Sequence, residues 1–369
     1  MQIPENAKVV IPDGVVPGTV RVSGDRVESI TDGDDETASG WIVPGFVDVH
    51  CHGGDGATYT TGDADEARKV ALFHQRHGTT TTLASLVSSP FDVMMDAVKN
   101  FRPLIDEGVL EGIHFEGPYL SHARCGAQNP QALRDPDVTE LNSLVEAGAG
   151  AIKMVTIAPE LAGATEAIEW LSVHGVVAAI GHTDASYETT LDAIAAGATV
   201  GTHVFNGMRG FNHRDPGPIP ALLDDPRVVC EFIADPIHLH MGTLAFALHA
   251  SCAPWAVLVT DAMSATGMDD GKYELGGLDV TVADGAARLT ETGSIAGSTI
   301  TMDDAFRNTV KLAGIDVPTA SQMASQTPAE LLGLSDVGRI EPGARADLCV
   351  YDEDLQLRGV MRAGEWITP

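Results

Sequence analysis

The sequence predicts an α/β protein: a (β/α)8 barrel of the TIM type, with a small β-sandwich domain assembled from both chain termini. Three observations carry that expectation. From Gly45 onward, short β-branched apolar runs alternate with amphipathic stretches, the pattern of a parallel sheet with crossover helices. About eight such units fit into roughly 290 residues, as a barrel of this kind requires. Short strands bounded by turn residues, with no helices between them, occupy both ends of the chain.

The N-terminal strands are KVVIP, GTVRVSG and RVESI, separated by Gly, Pro and Asp turns. The barrel strands follow as FVDVHCH, TTTTLASL, GIHFEG, AIKMVTIA, VVAAIGH, TVGTHVF, VVCEFIAD and WAVLVTDA. Between them, residues 65–76, 137–147, 160–173, 185–195 and 242–249 carry helical amphipathic spacing. After Asp261 the Gly-rich segment YELGGLDVTVADGAARLTETGS reads as a hairpin insertion. Helical pattern resumes over 301–313 and 320–332, and RADLCVYD and LRGVMRAGEW close the chain as strands. The expected division is a discontinuous β-domain of residues 1–44 and 336–369 around a catalytic barrel of residues 45–335.

Composition excludes several classes. A chain of 369 residues with 44% hydrophobic residues is neither collagen-like, coiled-coil nor disordered. No apolar run approaches the roughly 18 residues of a membrane span, and MQIPENAKVV lacks the pattern of a signal peptide. The expectation is a cytoplasmic protein that meets no membrane. With 22 Lys+Arg against 52 Asp+Glu, the net charge of -30 repels nucleic-acid phosphates. The acidic residues are scattered, which reads as a solvated surface and suits a salty environment. An anionic small substrate stays open, because screening confines exposed charges to roughly 8 Å and local cations or a metal dominate a cleft. Cys51, Cys125, Cys230, Cys252 and Cys349 are odd in number and show no CxxC pairing, which fits a reducing compartment.

The polar residues fall at strand ends. His50 and His52 end the first barrel strand, two residues apart and so on one side of it. Glu116 ends the third, His182 the fifth, His203 the sixth and Asp261 the eighth. Residues at these ends converge on the mouth where barrel active sites sit. Four imidazoles and two carboxylates make a divalent metal site for a borderline ion: zinc first, with iron, manganese, cobalt or cadmium as alternatives. If these groups were merely core residues, several buried polar atoms would lack partners.

PGFVDVHCHGG, HFEGPYL, GHTDA, THVFNGM, LVTDAM and the closing GRIEPGARADLCVYD together resemble the amidohydrolase superfamily, from about Val43 to about Tyr351. HFEGPYL and HVFNGM point within it to the branch that deacetylates amino-sugar phosphates. The resemblance implies hydrolysis of N-acetylglucosamine 6-phosphate to acetate and glucosamine 6-phosphate, in amino-sugar catabolism and cell-wall recycling. It implies that Glu116, His182 and His203 hold the principal metal, that His50 and His52 hold a second, and that one or two ions bind per subunit. Asp261 is then the general base. It assigns Ala127, Gln128, Asn206, Gly207, Arg214, His238, Ile295, Ala296 and Gly297 to the substrate, with Arg214 reaching into the neighbouring site of a homodimer. Arg209, His213 and His240 are further cations near the same loops.

The sequence departs from the family pattern twice. Cys125-Gly126-Ala127-Gln128-Asn129 stands where Gly-x-His-Asn is usual, so Gln128 carries no charge. ADPIH replaces ADGxH, placing Pro236 where Gly is common and stiffening that loop. Cys125 lies near the cleft, His122 follows the Glu116 loop, and His114 shares a strand with Glu116, where it packs or supports a ligand. His74, His77, His174 and His249 read as surface or packing residues. Two other readings compete. A dihydroorotase- or hydantoinase-like enzyme would act on a cyclic amide and use a carbamylated lysine, for which Lys153 is placed on the fourth strand. A non-catalytic scaffold would have lost some of the six ligand positions, and here all six are filled.

Overall fold

The structure, a computed structural model, describes residues 2–251 and 255–367; Cys252 lies outside the described residues. Eight parallel strands form one sheet: β1 (Phe46–Asp48), β2 (Thr79–Val87), β3 (Gly112–Glu116), β4 (Ile152–Ile157), β5 (Val177–Ile180), β6 (Val200–Gly201), β7 (Val229–Ile233) and β8 (Ala256–Val259). They follow one another in chain order, and the last returns to the first. The Asp261 amide donates to His50 O at 2.8 Å, and Thr260 Oγ1 donates to Asp48 at 2.6 Å, closing the barrel.

Each strand is followed by a helix: α1 (Ala64–Arg76), α2 (Phe91–Asp106), α3 (Val138–Gly148), α4 (Ala164–Val173), α5 (Tyr187–Ala195), α6 (Ile219–Asp224), α7 (Met241–Ser251) and α8 (Met302–Lys311). Local signals start them. The Asp63 carboxylate caps α1 by accepting from the Asp65 and Glu66 amides, and Thr301 with Asp304 forms a capping box on α8. Two helices go beyond the stretches picked out by amphipathic spacing. In α2, Pro103 interrupts the pattern without ending the helix, and α6 is short and opens on a proline. Helix α4 begins at Ala164, four residues later than expected, because Gly163 takes a left-handed conformation (φ 82°) that ends the preceding turn. The expected hairpin insertion is a three-stranded antiparallel sheet, Gly271–Leu275, Leu278–Ala283 and Ala286–Leu289.

Alternation along the strands sorts inside from outside. Val47, Leu83, Met154, Ala179, Val200, Val229 and Val257 fill the barrel, while Ile113, Phe115, Val155, Ile157, Cys230 and Phe232 pack outward against the helices. Two residues further along their strands, the inward positions turn polar: Ser85, His114, Thr156 and Glu231, all fully buried. The apolar plug thus supports a polar floor directly beneath the mouth.

Strands from both termini form a second sheet of seven, including Ala7–Ile11, Gly14–Ser23, Arg26–Asp32 and Trp41–Pro44 from one end and Leu348–Tyr351, Leu357–Arg362 and Glu365–Ile367 from the other. The sheet curls until the Val27 amide meets Ala344 O at 2.9 Å. Between its faces lie Ala7, Val9, Val20, Val27, Ile42, Leu348, Val350 and Met361.

Candidate active site

The mouth of the barrel gathers the six strand-end groups into one cluster. Glu116 is at its centre. Its Oε1 lies 2.8 Å from His203 Nε2, 3.0 Å from His182 Nε2 and 3.6 Å from His50 Nε2, and its Oε2 lies 3.2 Å from His52 Nε2. Asp261 Oδ1 stands 3.2 Å from His52 Nε2 and 3.6 Å from His50 Nε2. All six residues are buried.

Backbone strain marks the same residues. His182, His203 and Asp261 have φ of 45°, 27° and 49°, in the left-handed region that non-glycine residues seldom adopt. Such conformations cost on the order of 1–3 kcal/mol each. They turn the side chains inward just past the strand ends, where regular alternation would not place all three.

The outer ring nitrogens fix which nitrogen faces the centre. His52 Nδ1 lies 3.0 Å from the Ser85 carbonyl oxygen, His182 Nδ1 is 2.9 Å from the Arg124 carbonyl oxygen, and His50 Nδ1 is 3.0 Å from Glu231 Oε2. Carbonyl and carboxylate oxygens only accept, so each Nδ1 carries the hydrogen and each Nε2 presents a lone pair. Those lone pairs face carboxylate oxygens and one another, His50 Nε2 to His52 Nε2 being 3.1 Å. Lone pairs opposed at such distances repel unless positive charge, an added proton or a metal ion, lies between them. The donor set and its outer hydrogen bonds fit a divalent metal ion.

The electrostatics agree. Burial works against the imidazolium form of His52, but Asp261 and Glu116 outweigh it and raise the group to about 9. Burial likewise opposes charge on His50 and His182, yet the neighbouring carboxylates raise both. Burial alone would raise Glu116, but His50, His182 and His203 hold it well below the usual carboxylate range. The cluster favours positive charge between its carboxylates.

Behind the ligands runs a buried polar chain. Ser85 Oγ contacts His114 Nδ1 at 3.0 Å, His114 Nε2 contacts Thr156 Oγ1 at 2.9 Å, and Thr156 Oγ1 contacts Thr202 Oγ1 at 3.1 Å. His114 therefore supports the site and ligates nothing. Asp48, pushed up to about 6 by burial against its bond to Thr260, ties β1 to β8. The sequence reading missed Glu231, Asp48 and Ser85. Single acids inside the apolar runs FVDV and VCEFI were the available signal for the first two. Ser85 carries no comparable mark.

A cavity of about 290 Å3 opens over the cluster, lined by His52, Glu116, His182, His203 and Asp261 and by Ala127, Gln128, Asn206, Gly207, His238, Ile295 and Gly297. Ala296, expected beside the substrate, is buried with the three-stranded insertion. Arg214 and His213 are exposed in the loop after β6, and His240 is exposed near α7. Arg209 is engaged elsewhere: its guanidinium donates to Asp184 at 3.0 Å, which also pairs with Arg124 at 2.8 Å. Two loops flanking the cavity are thus pinned to one carboxylate.

Gln128, expected beside the substrate, lines the cavity and also bonds within the protein. Its Nε2 donates to Glu116 Oε2 at 2.6 Å, and its Oε1 accepts from the Ser88 amide at 2.7 Å. One hydrogen of the amide nitrogen and one lone pair of the oxygen remain. Pro236, expected to stiffen its loop, is exposed beside an aspartate turn in which Asp235 accepts from the Ile237 and His238 amides. That turn needs no amide at 236. His238 Nδ1 contacts Asp235 Oδ2 at 2.9 Å, leaving Nε2 as the ring's remaining polar atom.

Other histidines are placed plainly. His74 is buried with Nε2 2.9 Å from the Gly53 carbonyl oxygen, while His122 and His249 are exposed. Cys125 is half-buried on the rim. Lys153 faces the outside of the wall, opposite the inward Met154 and Thr156, and packs over Gly112. It does not reach the metal cluster, which removes the basis for a carbamylated-lysine centre.

Comparison with known proteins places the chain among similar sequences and structures. Residues 41–367 match the model of the Amidohydrolase family. An N-acetylglucosamine-6-phosphate deacetylase of Lysinibacillus sphaericus is 37% identical over 89% of this chain and 86% of its own length. An N-acetylgalactosamine-6-phosphate deacetylase of Escherichia coli O157:H7 is 35% identical over 96% of this chain and 93% of its own. A substituted N-acetyl-D-glucosamine-6-phosphate deacetylase from Mycobacterium smegmatis, solved with N-acetyl-D-glucosamine-6-phosphate, superposes with a TM-score of 0.95 at 41% identity, covering 99% of this chain and 100% of that one.

Proposed function

We propose, from the premise that the chain belongs to the amidohydrolase family, that it hydrolyses the acetamide of N-acetylglucosamine 6-phosphate to acetate and glucosamine 6-phosphate. One observation carries the reading: four imidazole Nε2 atoms and the Asp261 carboxylate meet around Glu116 at the floor of a sugar-sized cavity. Relatives named for this activity, alike over nearly the whole chain, support it.

His182 and His203 with Glu116 would hold the principal ion, and His50 and His52 a second, zinc being the best match to nitrogen and oxygen donors. A divalent ion supplies an acidified water and a polarised acetyl carbonyl. Asp261 lines the cavity and is ionised: burial would raise it, but protonated His52 and His50 beside it, whose positive charge a bound ion would take over, hold it below the usual carboxylate value. It takes the proton of the attacking water and delivers it to the departing nitrogen, so that the amine leaves neutral. Gln128 keeps Glu116 in place while this happens. The Gly207 amide and the second hydrogen of the Asn206 Nδ2 are the donors offered to the sugar phosphate, and the Nε2 of His238, whose Nδ1 hydrogen goes to Asp235, is an acceptor there.

Arg214 completes that subsite from a second copy of the chain in a homodimer. Its exposure outside the cavity supports this, as does an apolar groove that includes Phe211 of the same loop. The groove is lined by Tyr187, Phe205, Ile219 and Leu223 and by the exposed Phe211 and Phe246. Phe205 borders both groove and active-site cavity, so a partner seated there would adjoin the substrate. We place the enzyme in the cytoplasm; among the described residues no helix is long and apolar enough to cross a membrane.

The test is acetate release from N-acetylglucosamine 6-phosphate by the zinc-supplemented protein beside Asp261→Asn. Turnover abolished by the substitution is expected. Folded, metal-loaded protein without turnover would refute the assignment. The galacto epimer belongs in the same assay, since a relative of nearly equal identity is named for it.

A further inference from the structure

Glu231 is a carboxylate that the reaction as derived above does not use. It sits on the inward face of β7 between Val229 and Ile233, both members of the apolar plug, and has no solvent exposure. A bare carboxylate there is costly unless something compensates it. Among the described residues its ion-pair partner is His50, and no lysine or arginine reaches it. One oxygen carries every contact it makes: Oε2 is 3.0 Å from His50 Nδ1 and accepts from the His203 amide at 3.2 Å. Oε1 is buried without a partner.

The two contacts reach different ligands. His50 is paired with His52, the two Nε2 atoms being 3.1 Å apart, and His203 lies beside His182; His50 at 3.6 Å shares Glu116 Oε1 with both of the latter. The rings of His50 and His203 are stacked with centroids 5.4 Å apart. A single oxygen therefore sets the tautomer of one ligand and the backbone position of the other.

We infer that Glu231 is a positioning residue for the His50/His52 half of the metal centre. It holds the hydrogen on His50 Nδ1, turns the Nε2 lone pair toward Glu116 and Asp261, and makes that nitrogen a stronger donor to a cation. Without this acceptor His50 is free to take the other tautomer, whose Nε2–H would point into the site and exclude a metal from that half. The inference rests on the metal-centre reading above.

The experiment titrates metal-free full-length protein with zinc against a chromophoric chelator. Wild type is compared with Glu231→Met, which removes the acceptor at similar volume in apolar surroundings, and with Glu231→Gln, which keeps an oxygen for His50. Loss of such an outer hydrogen bond typically weakens metal binding about 10–100-fold. Glu231→Met is expected to lose that much for one zinc equivalent, with the other little changed, and Glu231→Gln to recover part of the loss. In a His50→Ala background Glu231→Met should add no further weakening of that equivalent. Two equivalents bound at wild-type affinity by folded Glu231→Met would overturn the inference, as would equal weakening in the His50→Ala background. If Glu231→Met does not fold, 15N-histidine NMR of zinc-loaded wild type decides: a His50 hydrogen on Nδ1 supports the inference, and one on Nε2 overturns it. A wild-type chain that takes up no zinc overturns the metal-centre reading itself, a result distinct from either.

Discussion

Replacing Gln128 separates two roles that a side chain in this cavity can play. Its Nε2 donates to Glu116 Oε2 at 2.6 Å and its Oε1 accepts from the Ser88 amide at 2.7 Å, in the buried wall of the cavity. Gln128→Leu removes both bonds at nearly constant volume. A hydrogen bond to a charged group contributes about 1.5–3 kcal/mol. If that contribution serves to keep Glu116 placed during reaction, kcat falls about 10–100-fold. The orphaned Ser88 amide costs about 1–3 kcal/mol, which appears in the denaturation midpoint rather than in turnover. KM should move little, because neither bond goes to substrate. Gln128→Glu keeps the acceptor for Ser88 but sets oxygen against oxygen at Glu116. At 2.6 Å and an effective dielectric constant near 20 that repulsion is roughly 6 kcal/mol, larger than the lost bond. The activity order is therefore wild type, then Gln128→Leu, then Gln128→Glu. Steady-state deacetylation kinetics at saturating zinc provide the assay. A Gln128→Leu enzyme with raised KM and unchanged kcat would refute the reasoning and make Gln128 a substrate contact.

Three further outcomes are expected. Gly207→Ala would bring a Cβ within 2.8 Å of His182 Nδ1 at a left-handed φ of 60°, displacing the ring from the Arg124 carbonyl; zinc retention after dialysis should fall about tenfold or more, as for loss of an outer ligand bond, and unchanged retention would count against that picture. Burial lowers His74 to about 4 from 6.5, so the unfolded chain binds the extra proton between those values; stability is full above about pH 6.5 and falls by about 3 kcal/mol on descending to about pH 4. Urea midpoints of wild type and His74→Gln across that window check this, the variant losing less as pH falls. Chelation should lower the melting temperature and zinc restore it, the shift corresponding to about 4 kcal/mol at a free ion level about 1,000-fold above Kd; identical midpoints would argue against a metal centre.

The ligand set was legible because a parallel barrel converts a one-dimensional regularity into a point. His50, His52, Glu116, His182, His203 and Asp261 each close an apolar run, and strands that share a direction bring their ends to the same mouth. The approach of the side chains was not legible. His182, His203 and Asp261 turn inward through left-handed backbone just past the strands, a conformation in which His and Asp are enriched but still uncommon, so that their identity does not announce it. Pairings between distant segments were hidden for a related reason. Arg209 read as a loop cation near the cleft, and its partner Asp184, 25 residues away along the chain, could not be seen from the pattern.

Gln128 and Glu231 mark two things the pattern left unread. Gln128 stood in a loop that resembled a substrate contact, and its bond inward, to a ligand 12 residues before it, had no mark in the sequence. Glu231 stood in a strand that resembled plain core, and there the anomaly itself was the signal. Val229 and Ile233 on the same inward face are apolar, so an acid between them must be compensated from across the barrel. Its partner, His50, lies 181 residues away and is itself a strand-end ligand. A charged residue at an inward barrel position near the mouth is therefore informative from the amino-acid pattern alone. It says that positive charge is held within one side chain's reach, and in this chain the strand-end histidines had already marked where.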